Sequence, residues 1–180
     1  MGYFFYLTLS FLYFLLFING AIGDPLTIGS TCKAASQSDS KLSYDFCVAA
    51  LKSDPKSRTA DLKGLGIISI ELSISNATNV VSNIAKLLKD KSIDPFAKTV
   101  LEDCLDLYSD AIPTLKEAVG KFNSKDYYQA NVDVSSAMDA SSTCEDGFKE
   151  RKGVVSPLTK ENHDIFQLTA ISLAIIEMFH

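Results

Sequence analysis

The stretch ASSTCEDGF, residues 140–148, places one cysteine directly before two carboxylates. Cys144 could be a nucleophile, a metal ligand or one half of a disulfide bridge, and each role implies a different class of protein. The role depends on where the other three cysteines lie, and therefore on the helices that carry them. The apolar pattern on either side of this stretch decides the fold.

Apolar residues recur along the chain at steps of three and four, the spacing of one face of an amphipathic helix. Four long helices are predicted from stripes that run from Ile67 to Leu88, Ala97 to Phe122, Tyr127 to Phe148 and Ile165 to Phe179. Asp94-Pro95 opens the second helix with a capping residue and a proline at the first helical position, and Ser156-Pro157 opens the fourth. Pro113 should kink the second helix, because it removes one backbone donor.

Short turns join the four helices, so neighbours in the chain should be antiparallel. An all-α fold follows, with an up-and-down four-helix bundle over residues 61–180. Ahead of it, residues 27–35 and 42–51 read as two short helices around a polar turn, which gives a helical hairpin over residues 27–52. The sequence shows no clear pattern for β-strands.

Antiparallel packing predicts how the four cysteines pair. If the second and third bundle helices fold back at Asn123-Ser124, Cys104 lies 19 residues before the turn and Cys144 lies 20 residues after it. Both lie on apolar stripes, so their side chains should face each other at a separation that suits a disulfide. The two hairpin cysteines are likewise about equidistant from their turn. Of three pairings, this symmetry favours Cys32–Cys47 and Cys104–Cys144.

The catalytic alternatives for Cys144 lack the partners they need. A cysteine nucleophile requires a base, and a zinc site requires clustered ligands, yet the sequence has only His163 and His180. No Gly-x-Ser-x-Gly elbow and no glycine-rich phosphate loop is present. The acids of Glu102-Asp103 and Glu145-Asp146 are adjacent in helices and point about 100° apart. We therefore expect no catalytic, metal or cofactor site.

Residues 1–23 carry no charged side chain and end in small residues that fit a signal-peptidase site. We predict a signal peptide cleaved after Gly23, with residues 24–180 as one secreted domain. An uncleaved membrane anchor is the alternative, since about twenty uncharged residues can just span a bilayer. Secretion is an oxidising route that suits paired cysteines. The formal net charge of −5 and the absence of a basic run argue against a nucleic-acid partner.

Asn76-Ala77-Thr78 is a glycosylation sequon on the first bundle helix. The helical stripe buries Ala77, which should place Asn76 just off the seam, on the outer side of the helix. Asn76 is therefore a candidate glycosylation site, and an unmodified surface asparagine is the alternative.

The chain resembles the plant invertase and pectin methylesterase inhibitor family over essentially its whole mature length. Its nearest resemblance is to the branch labelled "putative invertase inhibitors", which includes a tree-pollen allergen. Four cysteines with this spacing and flanking pattern carry the resemblance. The matching residues are Thr31-Cys32, residues 44–47 and 51–55, Cys104 with Tyr108, residues 143–148, and much of residues 156–175.

The resemblance implies a secreted protein of the plant cell wall that inhibits a carbohydrate-active enzyme by forming a complex. Invertase-directed members carry Pro-Lys-Phe at the start of the third bundle helix. Here those positions are Tyr127-Tyr128-Gln129, whereas Lys125-Asp126-Tyr127 looks like the esterase-directed members. The expected partner is therefore pectin methylesterase, slightly ahead of acid invertase. Asp126, Tyr127 and Tyr128 are the candidate contacts with it.

Two other functions stay open at this level. One is a binding or storage module, such as a carrier of a small ligand between the helices or an allergen-type bundle that no longer inhibits. A carrier would need a sizeable apolar cavity, whereas these stripes mix large and small residues that can fill a core. The other is an enzyme, which would need an unpaired Cys144 or a histidine beside an acid in a cleft.

Overall fold

The computed structural model describes residues 27–179. These residues form six α-helices and one 3₁₀ turn at Pro55–Arg58, with no β-strand among them. The helices are α1 Ile28–Ser38, α2 Tyr44–Ser53, α3 Leu62–Leu87, α4 Pro95–Asn123, α5 Tyr127–Lys149 and α6 Thr159–Glu177. The predicted signal peptide and His180 lie outside the described residues. Within 27–179, no helix is both long enough and apolar enough to cross a membrane.

Helices α3 to α6 form the predicted four-helix bundle. Each packs on two neighbours, in the cyclic order α3, α4, α5, α6 and back to α3. The hairpin of α1 and α2 packs mainly against α3 and α6. It therefore covers the side of the bundle away from α4 and α5. The prediction of an all-α bundle with an N-terminal hairpin is confirmed.

Side-chain caps explain where several helices begin. Asp94 accepts hydrogen bonds from the backbone N–H groups of Phe96 and Ala97, at 2.9 and 3.2 Å, and Pro95 takes the first helical position as predicted. Helix α6 begins at Thr159, later than the predicted Ser156-Pro157. The reason is local, because the Ser156 hydroxyl accepts from the Leu158 N–H at 3.1 Å and forms a turn of its own.

Helix α4 continues through Pro113 without interruption. Proline removes the hydrogen bond to the carbonyl of Ser109, and both residues are exposed. Water can therefore bind the released carbonyl, so the helix does not need to end there. The predicted kink stays a prediction.

All four cysteines are bridged and buried. The Cα atoms of Cys104 and Cys144 are 5.1 Å apart, which ties α4 to α5. Those of Cys32 and Cys47 are 5.7 Å apart, which ties α1 to α2. These are the two pairs that the antiparallel arithmetic predicts.

A polar network with a buried centre at Tyr108 and Asn162 crosses the bundle beside the Cys104–Cys144 bridge. The Tyr108 hydroxyl donates to Oδ1 of Asn162 at 2.6 Å, and Nδ2 of Asn162 donates to Glu145 at 2.7 Å. Thr159 also donates to Glu145, at 2.9 Å. Burial, together with the charges of Glu145 and Glu161, raises the pKa of Tyr108. The network joins α4, α5 and α6, so its members support one another.

Gln167 hydrogen bonds the hairpin to the bundle. Gln167 of α6 is buried, and its Oε1 accepts from the Ser43 N–H at 2.8 Å while its Nε2 donates to the Lys41 carbonyl at 2.8 Å. Its amide thus satisfies two backbone groups of the turn between α1 and α2. Around it, Leu51 and Ile171 belong to an apolar cluster shared by the hairpin and the bundle.

Removing the Cys104–Cys144 bridge should destabilise the protein more than removing Cys32–Cys47. The bridges close loops of 40 and 15 residues, which corresponds to about 4 and about 3 kcal/mol in the chain-entropy description. Paired Cys→Ala variants in urea unfolding would give both values. Amide hydrogen exchange should localise the smaller loss to α1 and α2, and uniform loss of protection in the hairpin variant would contradict this assignment.

Tyr108→Phe should lower the free energy of unfolding by about 1 to 3 kcal/mol at neutral pH, because the Asn162 carbonyl oxygen loses its buried donor. The pKa of Tyr108 is raised on folding, so above about pH 10 only the unfolded tyrosine ionises and wild-type stability falls as pH rises. The difference between the two proteins should therefore shrink by up to about 1.4 kcal/mol per pH unit. Urea titrations at neutral and alkaline pH measure it; a constant difference would contradict it.

Candidate functional site

The turn between α4 and α5 is held in a defined conformation by backbone hydrogen bonds. The Asp126 N–H donates to the Lys121 carbonyl at 2.9 Å, and the Lys125 N–H donates to the Phe122 carbonyl at 3.2 Å. This is a Schellman arrangement, which needs a left-handed residue after the helix. Lys125 supplies it with φ of 67°, a conformation that glycine adopts more readily.

An aromatic cluster lies beneath this turn. The ring of Phe122, fully buried, contacts Tyr127 and Phe179 edge to face at centroid distances of 5.5 and 5.2 Å, and Tyr127 stacks on Phe179 at 5.1 Å. Gly66 of α3 makes room for it, because a Cβ there would lie 2.7 Å from the Phe122 ring. The cluster anchors the start of α5 to α3, α4 and the C-terminal end of α6.

The three predicted contact residues differ in exposure. Asp126 is exposed and caps α5 by accepting from the Gln129 N–H at 3.3 Å. Tyr127 is half-buried in the aromatic cluster, which shows that part of its surface serves the fold. Tyr128 is 73% exposed, and Val132, one turn further along α5, is 43% exposed. Two apolar side chains therefore lie in solvent beside the turn.

An ion pair joins α4 and α5 close to the turn between them. Nζ of Lys121 lies 2.6 Å from Oδ2 of Asp133, which is buried, and Nε2 of Gln129 donates to the other carboxylate oxygen at 3.3 Å. The hydrogen bond to Asp133 raises the pKa of Lys121. Since both helices contribute, the pair limits sliding of one helix along the other.

An acidic groove of about 660 Å³ runs between α4 and α5, open to solvent. Four of its lining residues are aspartates, and none is lysine, arginine or histidine. The residues are Asp103, Asp106, Leu107, Asp110, Ala111, Thr114, Ser136, Asp139, Ala140 and Thr143. The sequence analysis did not predict this groove. The spacing of Asp103, Asp106 and Asp110 by three and four residues could have indicated it, because residues at that spacing share one face of a helix.

The groove and the exposed apolar pair belong to one surface. Residues 128, 132, 136, 139 and 143 of α5 fall within about 80° of one another around the helix axis. We name the surface formed by Tyr128, Val132 and the groove aspartates the α4–α5 face. The hairpin packs on the other side of the bundle, so it leaves this face uncovered.

The described side chains offer contacts rather than a reactive centre. Cys144 forms a disulfide with Cys104. His163 is exposed, and its ring lies edge-on to that of Phe46 with 6.2 Å between the ring centroids. Among residues 27–179, no group of three histidine, cysteine, aspartate or glutamate side chains could hold a metal ion. Of the adjacent acids, Glu145 joins the buried network while Asp146 pairs with Lys149 at 2.8 Å. The arrangement can bind a partner surface.

Asn76 lies just off the seam marked by the buried Ala77, as the helical stripe predicts. It is half-buried there because α2 packs alongside this part of α3. Asn76 lines a groove between these two helices together with Phe46 and Ala50.

Comparison with protein families matches residues 27–175 to the family described as "Plant invertase/pectin methylesterase inhibitor". A protein of Platanus acerifolia named "Putative invertase inhibitor" is 50% identical over 174 residues, which span 97% of this chain and 96% of the relative. "Pectinesterase inhibitor 12" of Arabidopsis thaliana is 38% identical, over 94% of this chain and 97% of the relative.

Among solved structures, a mutant form of a pectin methylesterase inhibitor from Arabidopsis superposes with a TM-score of 0.67. The two chains are 29% identical, and the match covers 79% of this chain and 96% of the other. The similarity thus extends from the sequence to the arrangement of the helices.

Replacing Lys125 tests whether the turn stores backbone strain. Lys125→Gly should be more stable than Lys125→Ala by about 1 kcal/mol, because both remove the charge and only glycine relieves the positive φ. Thermal or urea unfolding of the matched pair measures the difference. Equal stability of the two variants would show that the left-handed conformation carries no such cost.

Proposed function

The chain belongs to the plant invertase/pectin methylesterase inhibitor family, whose members are inhibitors rather than enzymes, and we propose that this inhibitor acts on a plant pectin methylesterase in the cell wall. It reaches the wall after removal of the leader at residues 1–23. It inhibits by forming a complex in which the α4–α5 face covers the enzyme's carbohydrate-binding cleft.

The residues at the start of α5 favour an esterase over an invertase. The names of the relatives point both ways, to invertase for the Platanus protein and to pectinesterase for the Arabidopsis one. The Pro-Lys-Phe tripeptide that the family resemblance ties to invertase is replaced here by Tyr127-Tyr128-Gln129. Without the tripeptide, the turn lacks the segment that would enter an invertase active site.

The exposed side chain of Tyr128 is the observation that carries the proposal. A tyrosine that is 73% exposed on a helix anchored by buried aromatic rings can enter a partner's pocket with little loss of its own freedom. Tyrosine is also among the residues that dominate binding energy at interfaces. Asp126 and the outer part of Tyr127 flank it and are its proposed neighbours in the contact.

The acidic groove indicates the chemistry of the matching surface. Asp103, Asp106, Asp110 and Asp139 present four carboxylates without a cation among the lining residues. A partner that places lysine or arginine side chains beside its substrate cleft would be complementary in charge. Since these carboxylates are exposed, salt should slow association by screening them.

The groove does not resemble the cavity of a carrier. A small-ligand carrier needs an apolar pocket that encloses most of its ligand. Here the space between α4 and α5 is open and lined by aspartates. A bundle of this family that no longer inhibits is the remaining alternative, and it would bind neither enzyme.

The decisive experiment titrates the oxidised protein against a plant pectin methylesterase and, separately, an acid invertase. We expect inhibition of the esterase to saturate at one inhibitor per enzyme, with no effect on the invertase. Saturation with invertase alone would show that invertase is the target instead. No effect on either enzyme would contradict the proposed inhibitory function.

Tyr128→Ala should weaken the complex with the esterase by about 30-fold or more, the effect of losing a hot-spot residue worth about 2 kcal/mol. Isothermal titration or an inhibition constant measures it. Tyr44→Ala is the matched control, because Tyr44 is also exposed, at 45%, but lies on the hairpin side of the bundle. A larger loss of affinity for Tyr44→Ala would indicate that the hairpin, and not the α4–α5 face, contacts the esterase.

A further inference from the structure

The groove beside Asn76 is a feature that the proposed inhibition does not use. It has a volume of about 220 Å³ and lies between α2 and α3. Phe46, Ala50 and Ser53 line it from α2, while Leu72, Ser75, Asn76 and Asn79 line it from α3, with Leu168 of α6 at its base. It is thus an open slot with an apolar floor and several small or polar side chains.

The side-chain amide of Asn76 is not committed to a hydrogen bond in the described part of the chain. Three other asparagines of the bundle are hydrogen bonded through their side chains, Asn83 to Glu161, Asn131 to Glu177 and Asn162 to Glu145, whereas the exposed Asn79 and Asn123 make no such bond to any described residue. Within residues 27–179, the Asn76 side chain has no such partner, although asparagine is less favourable than alanine inside a helix. The half-buried amide is therefore not held by a hydrogen bond within residues 27–179.

We propose that Asn76 carries an N-linked glycan whose first sugar lies in this groove between α2 and α3. Asn76 is the asparagine of the one Asn-x-Ser/Thr sequon in the sequence. The proposal rests on the proposed secretion, since the secretory route supplies the transferase and its donor. It does not rest on which enzyme is inhibited.

The donor is an oligosaccharide linked to a lipid diphosphate. Nδ2 of Asn76 forms a bond to C1 of the first sugar, while the bond from C1 to the diphosphate oxygen breaks. The amide gives up one proton to water, and the lipid diphosphate leaves with the electron pair of the broken bond. No oxidant or reductant is required.

The folded helix shows when the transfer must take place. Positions 76 and 78 are about 200° apart around α3, and the Thr78 hydroxyl already donates to the Ile74 carbonyl at 2.8 Å. The two groups of the sequon therefore point to opposite sides of the helix, and the transferase cannot recognise both of them in the folded chain. Transfer has to precede folding of α3, and packing of α2 then places the sugar in the groove.

The glycan would leave the proposed docking surface free. The hairpin packs against α3 and α6, and Asn76 lies beside α2 on that side of the bundle. The α4–α5 face is on the opposite side. A glycan at Asn76 therefore covers the seam between the hairpin and the bundle and protects the hairpin from proteases, while inhibition is retained.

The test expresses the full chain in plant cells and measures the intact mass of the protein recovered from the wall fluid, before and after enzymatic removal of N-glycans. Wild type and Thr78→Ser, which both keep the sequon and a hydroxyl, should carry the mass of one glycan. Asn76→Gln and Thr78→Ala should not. Peptide mapping should place the wild-type glycan on Asn76.

The mass spectra and an enzyme titration together distinguish a failure of this proposal from a failure of the proposed secretion or inhibition. Loss of residues 1–23 reports secretion, and titration against the esterase reports inhibition. A leader-free wild-type chain without a glycan on Asn76 overturns the proposal, whether or not it inhibits.

The position of the sugar is tested by limited proteolysis, which should cut the hairpin several-fold faster in Thr78→Ala than in Thr78→Ser. Equal rates would place the glycan away from the groove.

Discussion

The covalent link between Cys104 and Cys144 is the constraint on which the rest of the structure depends. Its 5.1 Å Cα separation fixes the register of α4 against α5 about twenty residues from their common turn. Two antiparallel helices joined at a turn and at a bridge cannot slide past each other, and the Lys121–Asp133 pair adds a third connection. The alignment of Asp139 with the α4 aspartates, and of Tyr128 with the groove, follows from that register.

The two ends of this helix pair are secured by different chemistry. Near the bridge, hydrogen bonds from Tyr108 through Asn162 to Glu145 connect three helices in a buried setting. Near the turn, Phe122 and its aromatic neighbours fill the space that Gly66 leaves open. Directional polar bonds and close ring packing both restrict side-chain freedom before a partner arrives. A surface held in this way loses little entropy on binding, which suits a protein that acts by obstruction.

Two opposite sides of the bundle differ in what covers them. The α3–α6 side is covered by the hairpin, which Gln167 attaches through two backbone groups and the Cys32–Cys47 bridge holds together. The α4–α5 side stays uncovered and carries both exposed apolar residues and unpaired acidic charge. Because the hairpin occupies one side, a partner protein and a modification at Asn76 would not compete for the same surface.

The sequence by itself determined the helices, the bundle and the cysteine pairing, because a period of three to four residues and equal distances from a turn are properties of the chain alone. It also placed Tyr127 on the apolar stripe of its helix, whereas the exposure of Tyr128 came from the structure. Only the tertiary structure decided which helix faces meet, and with them the acidic groove, the Gln167 contact and the slot at Asn76. These depend on side chains tens of residues apart. Helical periodicity states which residues share a face, but packing against other helices decides what that face touches.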